Sequence, residues 1–473
     1  MENNFSSQHD NPSLLWVSAD VAADRPAGTY GDPFGSIGAA LDRAREGQKI
    51  VLKNGIYRGD VTVQKSGSVD FPIAITAEHA GGALIESSCW YFYDISDMIV
   101  SDLHFLNSPH GALSIIGQCE RNSFIDLVFK DCGREGKESC TLYLGGSGSN
   151  CNVVENCRFE RRSGTDHVAI GIMIAEGDVG TGEPNRDCLF SKNHFSNYGY
   201  AMLIGSQDFT RGEYGHVLEC NTIEGCRYDG LLIRCGDTTV RNNDIRDCGR
   251  SGVTIAAGRG SLVENNRIGN SGTGIRTLGA AHTIQNNCLV RCDSVAIHVS
   301  DKTNSEQEPS QNIIIEQNTL VDCGIGLHGL GIAGIQVDPS TSCIMRRNLF
   351  YGTGKPYQIA GSAASPTAVA SPQCFIDDNI SAGGCESMAG SQSRDIAFAS
   401  YSSGDFSSNS GYGAQGWQTK AGPYDMDAIA GDAERIMAPN EEEEEEEEEI
   451  EDEIDENENM DEGEDLKDKG LFY

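Results

Sequence analysis

The sequence predicts an all-β fold, a single-stranded right-handed parallel β-helix (β-solenoid) whose short coils stack behind an N-terminal capping helix. Three recurring columns carry this reading. The first is an Asn, any residue, then a large apolar one: Asn193/Phe195, Asn221/Ile223, Asn243/Ile245, Asn266/Ile268, Asn287/Leu289, Asn318/Leu320 and Asn348/Phe350, with Asn156/Phe159 one residue longer. Ile223, Ile245, Ile268 and Leu289 are 22, 23 and 21 residues apart, one coil each, whereas other steps of 28 to 36 residues hold a coil plus a loop. A period near 20 without helical patterning marks a β-solenoid, because a coil buries its apolar face only when the next coil sits on it.

The second column stands three residues past the anchor: Cys132, Cys226, Cys248, Cys292 and Cys323, with Ser271 and Thr353 replacing Cys. Cysteine here reads as a small buried residue. The Asn column reads as a turn residue in left-handed conformation whose side-chain amide bonds to the next coil. The third column is a strand reading small, apolar, free, apolar: Gly171–Ile174, Ala201–Ile204, Gly230–Ile233, Gly252–Ile255, Gly274–Thr277 and Ala296–Val299. Period-two alternation turns Met173, Leu203, Leu232, Thr254, Arg276 and His298 outward, with neighbours about 4.8 Å apart along the stack.

Residues 1–28 read as an N-terminal extension. Asp32 as N-cap, Pro33 in the first turn, and apolar Ile37, Ala40, Leu41 and Ala44 predict a capping helix near 33–46, stopped by Gly47. Such a cap covers core side chains and unpaired strand groups at the end of the stack. Lys49–Leu52, the Asn54-Gly55 turn, Val61–Val63 and Ile73–Ile75 then predict short strands. The β-helix is expected to run from residue 29 to about 385, followed by a C-terminal cap or irregular flank over 386–440 and an acidic, disordered tail over 441–473 that begins with nine consecutive glutamates.

Charge narrows the function. Residues 441–473 hold 20 Asp and Glu against Lys467 and Lys469, so half of the formal charge of −36 sits in the tail. The remaining body is mildly acidic and lacks the basic footprint of a nucleic-acid-duplex binder. The tail suits solubility, or a basic partner. No run of 18 apolar residues predicts a membrane span. Met1–Trp16 lacks the basic start and apolar core of a secretory signal, and 17 cysteines is an odd count for a disulfide framework. A cytoplasmic protein is the default expectation, with non-classical export or a virion as alternatives.

Candidate chemistry falls on one edge of the coils. Counting four residues from the inner isoleucines puts Asp178, Asp208 and Asp237 in one column, with Arg259 one coil later. Carboxylates repeating every coil repel unless a cation or a shared proton relieves them. The column therefore reads as a Ca²⁺ site, as an acid pair for glycoside hydrolysis, or as aspartates each closing its own turn. Arg234 is the next outward residue after Leu232, and Arg276 and His298 lie farther along the same face. These three are the candidate catalytic residues; Arg259, Leu203 and Leu232 are the candidate substrate contacts.

Gly47–Tyr57 and Pro72–Ala77 resemble the opening of right-handed β-helix proteins of the pectate-lyase type, especially the alginate lyase and chondroitinase B family. Gly230–Asp237 resembles that family's strand ending in an Arg-His-Gly step, and Gly274–Asn287 its later Gly-Ile-Arg segment. The resemblance implies an acidic polysaccharide or other glycan as partner and lyase chemistry with Ca²⁺. It would make Arg234 the proton-donating arginine, with a lysine base one coil earlier and acidic calcium ligands nearby. Gly205 stands at that lysine position, and Tyr198 and Tyr200 where the acidic ligands would fall. Shifting by one coil makes Arg234 the base equivalent and puts Ala256 at the arginine position. A non-catalytic β-helix that binds glycans or proteins, or serves as a rod, is the alternative expectation.

Overall fold

The computed structural model describes residues 11–21, 26–133, 140–146, 148–162, 169–175, 184–205, 214–301, 310–326, 332–339, 341–359, 373–382, 385 and 391–393. All belong to the first of two units, Met1–Ala397 with Ser407–Trp417; the second unit lies outside the described residues, as do nearly all of the expected flank and the whole acidic tail.

Each coil lays down three short strands in fixed order, for example Thr239–Arg241, Asp244–Arg246 and Ser251–Ile255. Every one pairs in parallel with its counterpart one coil away. Three parallel sheets result, here called A, B and C in coil order, with 14, 14 and 12 strands among the described residues. Alternation decides what enters the core: in this coil Val240, Ile245, Cys248, Val253 and Ile255 point in and are buried. On sheet B the anchor column continues as stacked rings, Phe105–Phe129–Phe159–Phe195, with centroids 5.3, 4.7 and 4.5 Å apart. The small column also holds, since Cys132, Cys226, Cys248, Ser271, Cys292, Cys323 and Thr353 are all buried. Among the described residues no helix is long and apolar enough to cross a membrane.

The Asn column does stack, with a different backbone from the one expected. Asn156 is itself left-handed (φ 54°), as expected, but from Asn193 onward the left-handed residue is the one before the Asn: Lys192, Cys220, Asn242, Asn265, Asn286, Gln317, Arg347 and Asp378 have φ of 53° to 58°. That turn carries the next residue inward, where the amide is sealed from water. From Asn193 through Asn221, Asn243, Asn266, Asn287, Asn318 and Asn348 to Asn379, each Nδ2 donates to the next Oδ1 at 2.9–3.1 Å. Each Oδ1 also accepts the backbone N–H of the preceding rung, as Asn243 does from Asn221 at 2.9 Å. Buried amides survive only with such complete pairing.

Two boundaries move. Leu14–Val17, expected in an extension, is the first strand of sheet A and pairs with Lys49–Leu52, because its apolar residues cover an otherwise open edge. The helix spans Ile37–Arg43 with Ser36 as N-cap, its hydroxyl accepting the Ala39 N–H at 3.2 Å. Asp32 does not start it, since its carboxylate accepts the Ala27 N–H at 2.9 Å. Ile37, Ala40 and Leu41 are buried and join the core.

Candidate functional site

The outward face of sheet C collects the candidate residues in two adjacent columns. Strand register gives Met173, Leu203, Leu232, Thr254, Arg276, His298 and Gln336 as successive neighbours, the order that alternation predicts. Backbone hydrogen bonds set the second column, two residues later: Gly205, Arg234, Ala256, Leu278, Ser300 and Asp338 each donate to the preceding coil, Arg234 to Ile204 at 2.7 Å and Asp338 to Val299 at 3.0 Å. Arg276 and His298 are therefore direct neighbours. Arg234 is in the other column, two coils from Arg276, about 10 Å along the stack.

The upper part of this face is apolar. Leu203 and Leu232, expected as substrate contacts, are 9% and 8% exposed and cluster with Cys140 and Ile170 against Tyr143, Met173, Tyr200 and Ala256. Apolar side chains one strand spacing apart bury one another, and these two offer no open subsite. Beside them Tyr200 stacks on Tyr228, centroids 5.3 Å apart. Burial, then the Asp229 charge, pushes the Tyr200 phenol up to about 12, with Arg250 and Arg234 pulling the other way. Asp229 is itself buried, and burial raises its carboxyl against Arg250 and the Ser251 amide, whose N–H it accepts at 3.0 Å.

Gly205 is fixed as glycine by the backbone. Its φ is +96°, and a Cβ there would lie 3.0 Å from the carbonyl of Arg234. A lysine in this place would be strained by that φ, and the next coil would have to give by a few tenths of an ångström. Tyr198 is core: it is buried, and its hydroxyl and Thr141 Oγ1 are 3.0 Å apart. Burial raises its phenol as well. Two protonated phenols, one internal, do not suit a hard cation that takes carboxylate and carbonyl oxygens.

Among the described residues, Asp237 has no acid as its in-register neighbour. Asp178 and Asp208 lie outside the described residues, and the register of Val217, Thr239 and Leu262 places Gly215 and Gly260 on either side of Asp237. Asp237 is a left-handed turn residue (φ 50°) whose N–H donates to the Arg259 carbonyl at 2.7 Å. Arg259 itself is exposed in the turn that follows sheet C, one residue out of step with Asp237. No group of three or more His, Cys, Asp and Glu is placed to share a metal ion among the described residues.

Farther along, polar groups converge. Arg276 Nε donates to Ser300 Oγ at 3.1 Å, and Ser300 Oγ lies 3.2 Å from His298 Nδ1. His298 Nε2 is 2.9 Å from Asp338 Oδ2, which also accepts the Asp301 N–H at 3.1 Å, while Gln336 donates to Asp338 Oδ1 at 2.9 Å. Burial works to raise the Asp338 carboxyl, but these bonds, led by His298, outweigh it and hold it below its ordinary value. In the tautomer whose Nε2–H donates to an ionised Asp338, Nδ1 is the acceptor and faces Ser300 Oγ. The His298 and Asp338 side chains are each 20% exposed, so the pair meets solvent at its rim. Alternation finds Arg276 and His298 in the sequence but misses Ser300, Gln336 and Asp338. The available signal was Ala333–Val337, which repeats the small-apolar-free-apolar motif just before Asp338.

Residues 179–371 match the family model "Right handed beta helix region", and residues 35–214 match "Chondroitinase B". Among solved structures, the PL6 family alginate lyase AlyGC aligns with a TM-score of 0.62 at 18% identity over 88% of this chain, which spans only 58% of that lyase. A PL6 alginate lyase in complex with a trisaccharide aligns at 0.56 with 18% identity, over 87% of this chain and 94% of the other. The PL6 family polysaccharide lyase from Pseudopedobacter saltans aligns at 0.53 with 15% identity, over 81% and 98%. No curated protein matches the chain. At these identities the structural likeness establishes the fold, and the family match fixes its right hand.

Proposed function

We propose that this chain, a right-handed β-helix of the polysaccharide lyase-like family, binds an acidic glycan on the outward face of sheet C and cleaves it by elimination at His298. The observation that carries this reading is the bonded series Arg276–Ser300–His298–Asp338. A lyase acting on a uronate needs a positive group to stabilise charge on the substrate carboxylate and a base for the adjacent proton. Arg276 supplies the first, and its planar guanidinium suits a carboxylate. His298 supplies the second through Nδ1, with Asp338 holding its tautomer. The proton passes to Nδ1 as the glycosidic C–O bond breaks, leaving an unsaturated sugar and a leaving-group oxygen that takes a proton from water. Tyr198 and Tyr200 offer no cation cage, so charge neutralisation rests on arginine and no step passes through Ca²⁺.

The test is incubation with alginate, chondroitin and pectate, with and without Ca²⁺, following the ultraviolet absorbance of unsaturated products. Activity on one of them, lost by about 100-fold or more in His298→Ala, is expected. Absence of product from all three would overturn the reading. The glycine at 205 favours a second one, a glycan-binding β-helix without catalysis; it predicts saturable oligosaccharide binding, weakened by Arg276→Ala, with no product.

A further inference from the structure

At the far end of sheet A, Cys343 and Cys374 face each other in register across the strands Ser342–Arg346 and Gln373–Asp377. Their sulfurs are 3.3 Å apart, with the Cys343 thiol directed at the Cys374 sulfur. Cys343 is 3% exposed, whereas Cys374 is partly exposed. Neighbouring parallel strands hold Cα atoms about 4.8 Å apart, inside the roughly 4.4–6.8 Å window that a disulfide spans.

We propose that this pair is a thiol modification site, which a small-molecule disulfide converts into a covalent staple between the last two coils of sheet A. The roles follow from exposure and hydrogen-bond direction. Cys374 is the accessible sulfur, and the bond from Cys343 lowers its thiol, favouring the nucleophilic thiolate. It attacks one sulfur of the oxidant, forming a mixed disulfide and releasing one thiolate. Cys343, giving its proton to that thiolate, then attacks the Cys374 sulfur and expels the second thiolate, which takes from solvent the proton that Cys374 gave up. The protein dithiol is oxidised and the small disulfide reduced to two thiols. The sulfurs close from 3.3 Å to about 2.05 Å, and the strand at 373–377 can follow because, among the described residues, no strand lies beyond it in sheet A. Other stacked thiols lack this asymmetry: Cys226, Cys248, Cys292 and Cys323 are all buried in the core, where no oxidant reaches. The competitor is Cys385, also partly exposed, whose sulfur lies 3.4 Å from Thr353 Oγ1.

The full-length protein, incubated with oxidised glutathione and then alkylated and digested, should yield a peptide pair joined through Cys343 and Cys374 that dithiothreitol separates. Cys343→Ser should stop at a glutathione adduct on Cys374, and Cys374→Ser should leave Cys343 free. Hydrogen exchange at residues 374–377 should slow several-fold in the oxidised protein. Full alkylation of both cysteines after oxidation, or linkage of Cys374 to Cys385 instead, would overturn the assignment. An adduct on Cys343 in Cys374→Ser would overturn the order of attack.

Discussion

Replacing Asn243 by alanine interrupts the amide ladder in its middle, where coils carry almost no loop. The side chain makes two bonds through Nδ2, to Leu218 O and to Asn266 Oδ1, and its Oδ1 accepts two, from the Asn221 backbone and side chain, all at 2.9–3.0 Å. Some partners keep an alternative: Asn221 Nδ2 retains the Phe190 carbonyl, and Asn266 Oδ1 retains the backbone N–H of residue 243. One buried group loses the partner described for it, the Asn221 N–H; the Leu218 carbonyl, mid-strand in the pairing of Val217–Glu219 with Thr239–Arg241, keeps its place in the sheet ladder. At about 1–3 kcal/mol for such an orphan, that is the expected loss. Asn243→Asp should cost no less, because it keeps an acceptor while setting a charge against Leu218 O and Asn266 Oδ1. A solenoid is coupled coil to coil, so native-state hydrogen exchange is the suitable assay, not one global transition. The opening free energy at residues 217–246 should fall by that amount, while Ile73–Ala77, many coils away, should barely change. A local loss below about 1 kcal/mol would show that the ladder is passive filling. An equal loss at both places would refute nearest-neighbour stacking.

Three further outcomes follow from the same packing. His216 and His282 are buried, and burial lowers both to about 4; each Nδ1 accepts a backbone N–H, from Cys188 at 3.3 Å and Ser261 at 3.1 Å, so each must stay neutral. Their native pKa lies below the unfolded value near 6.5, so stability is full above about 6.5 and falls as pH drops toward 4, by about 3 kcal/mol for each. His282→Asn should flatten that slope in unfolding measured across this range, and an unchanged slope would count against the reading. Asp338 runs to lower pH: its native pKa sits below 3.8, so its contribution is complete above that value and lost as pH falls through the native one. Asp338→Asn should remove that acid-limb dependence and free the His298 ring, seen by NMR as altered imidazole shifts at neutral pH; matching shifts and matching acid limbs would contradict it. Phe159→Ala opens the ring stack between Phe129 and Phe195 and should cost about 3–5 kcal/mol at the neighbouring coils by the same exchange assay.

The coils are legible in the sequence because each must solve the same packing problem as the one before it. Repetition exposes the inward Ile and Phe, the small thiols and the outward residues of sheet C, and the register of Leu232, Thr254, Arg276 and His298 follows from alternation alone. What repetition hides is anything set by one turn. Lys192, Cys220, Gln317 and Arg347 take the left-handed conformation without a turn residue's chemistry, since the ladder amide beside each holds the bend. The in-register neighbours of Asp237 escape the count for a related reason. Counting forward from the inner isoleucine assumes that no residues are inserted before the next sheet A strand, whereas Val217 and Leu262 pair with Thr239 and so bring Gly215 and Gly260, not an acid, beside Asp237. Asp338 escapes the same way: the long connection between Val299 and Ala333 conceals that His298 and Gln336 are neighbours, and with them the carboxylate that orients the imidazole.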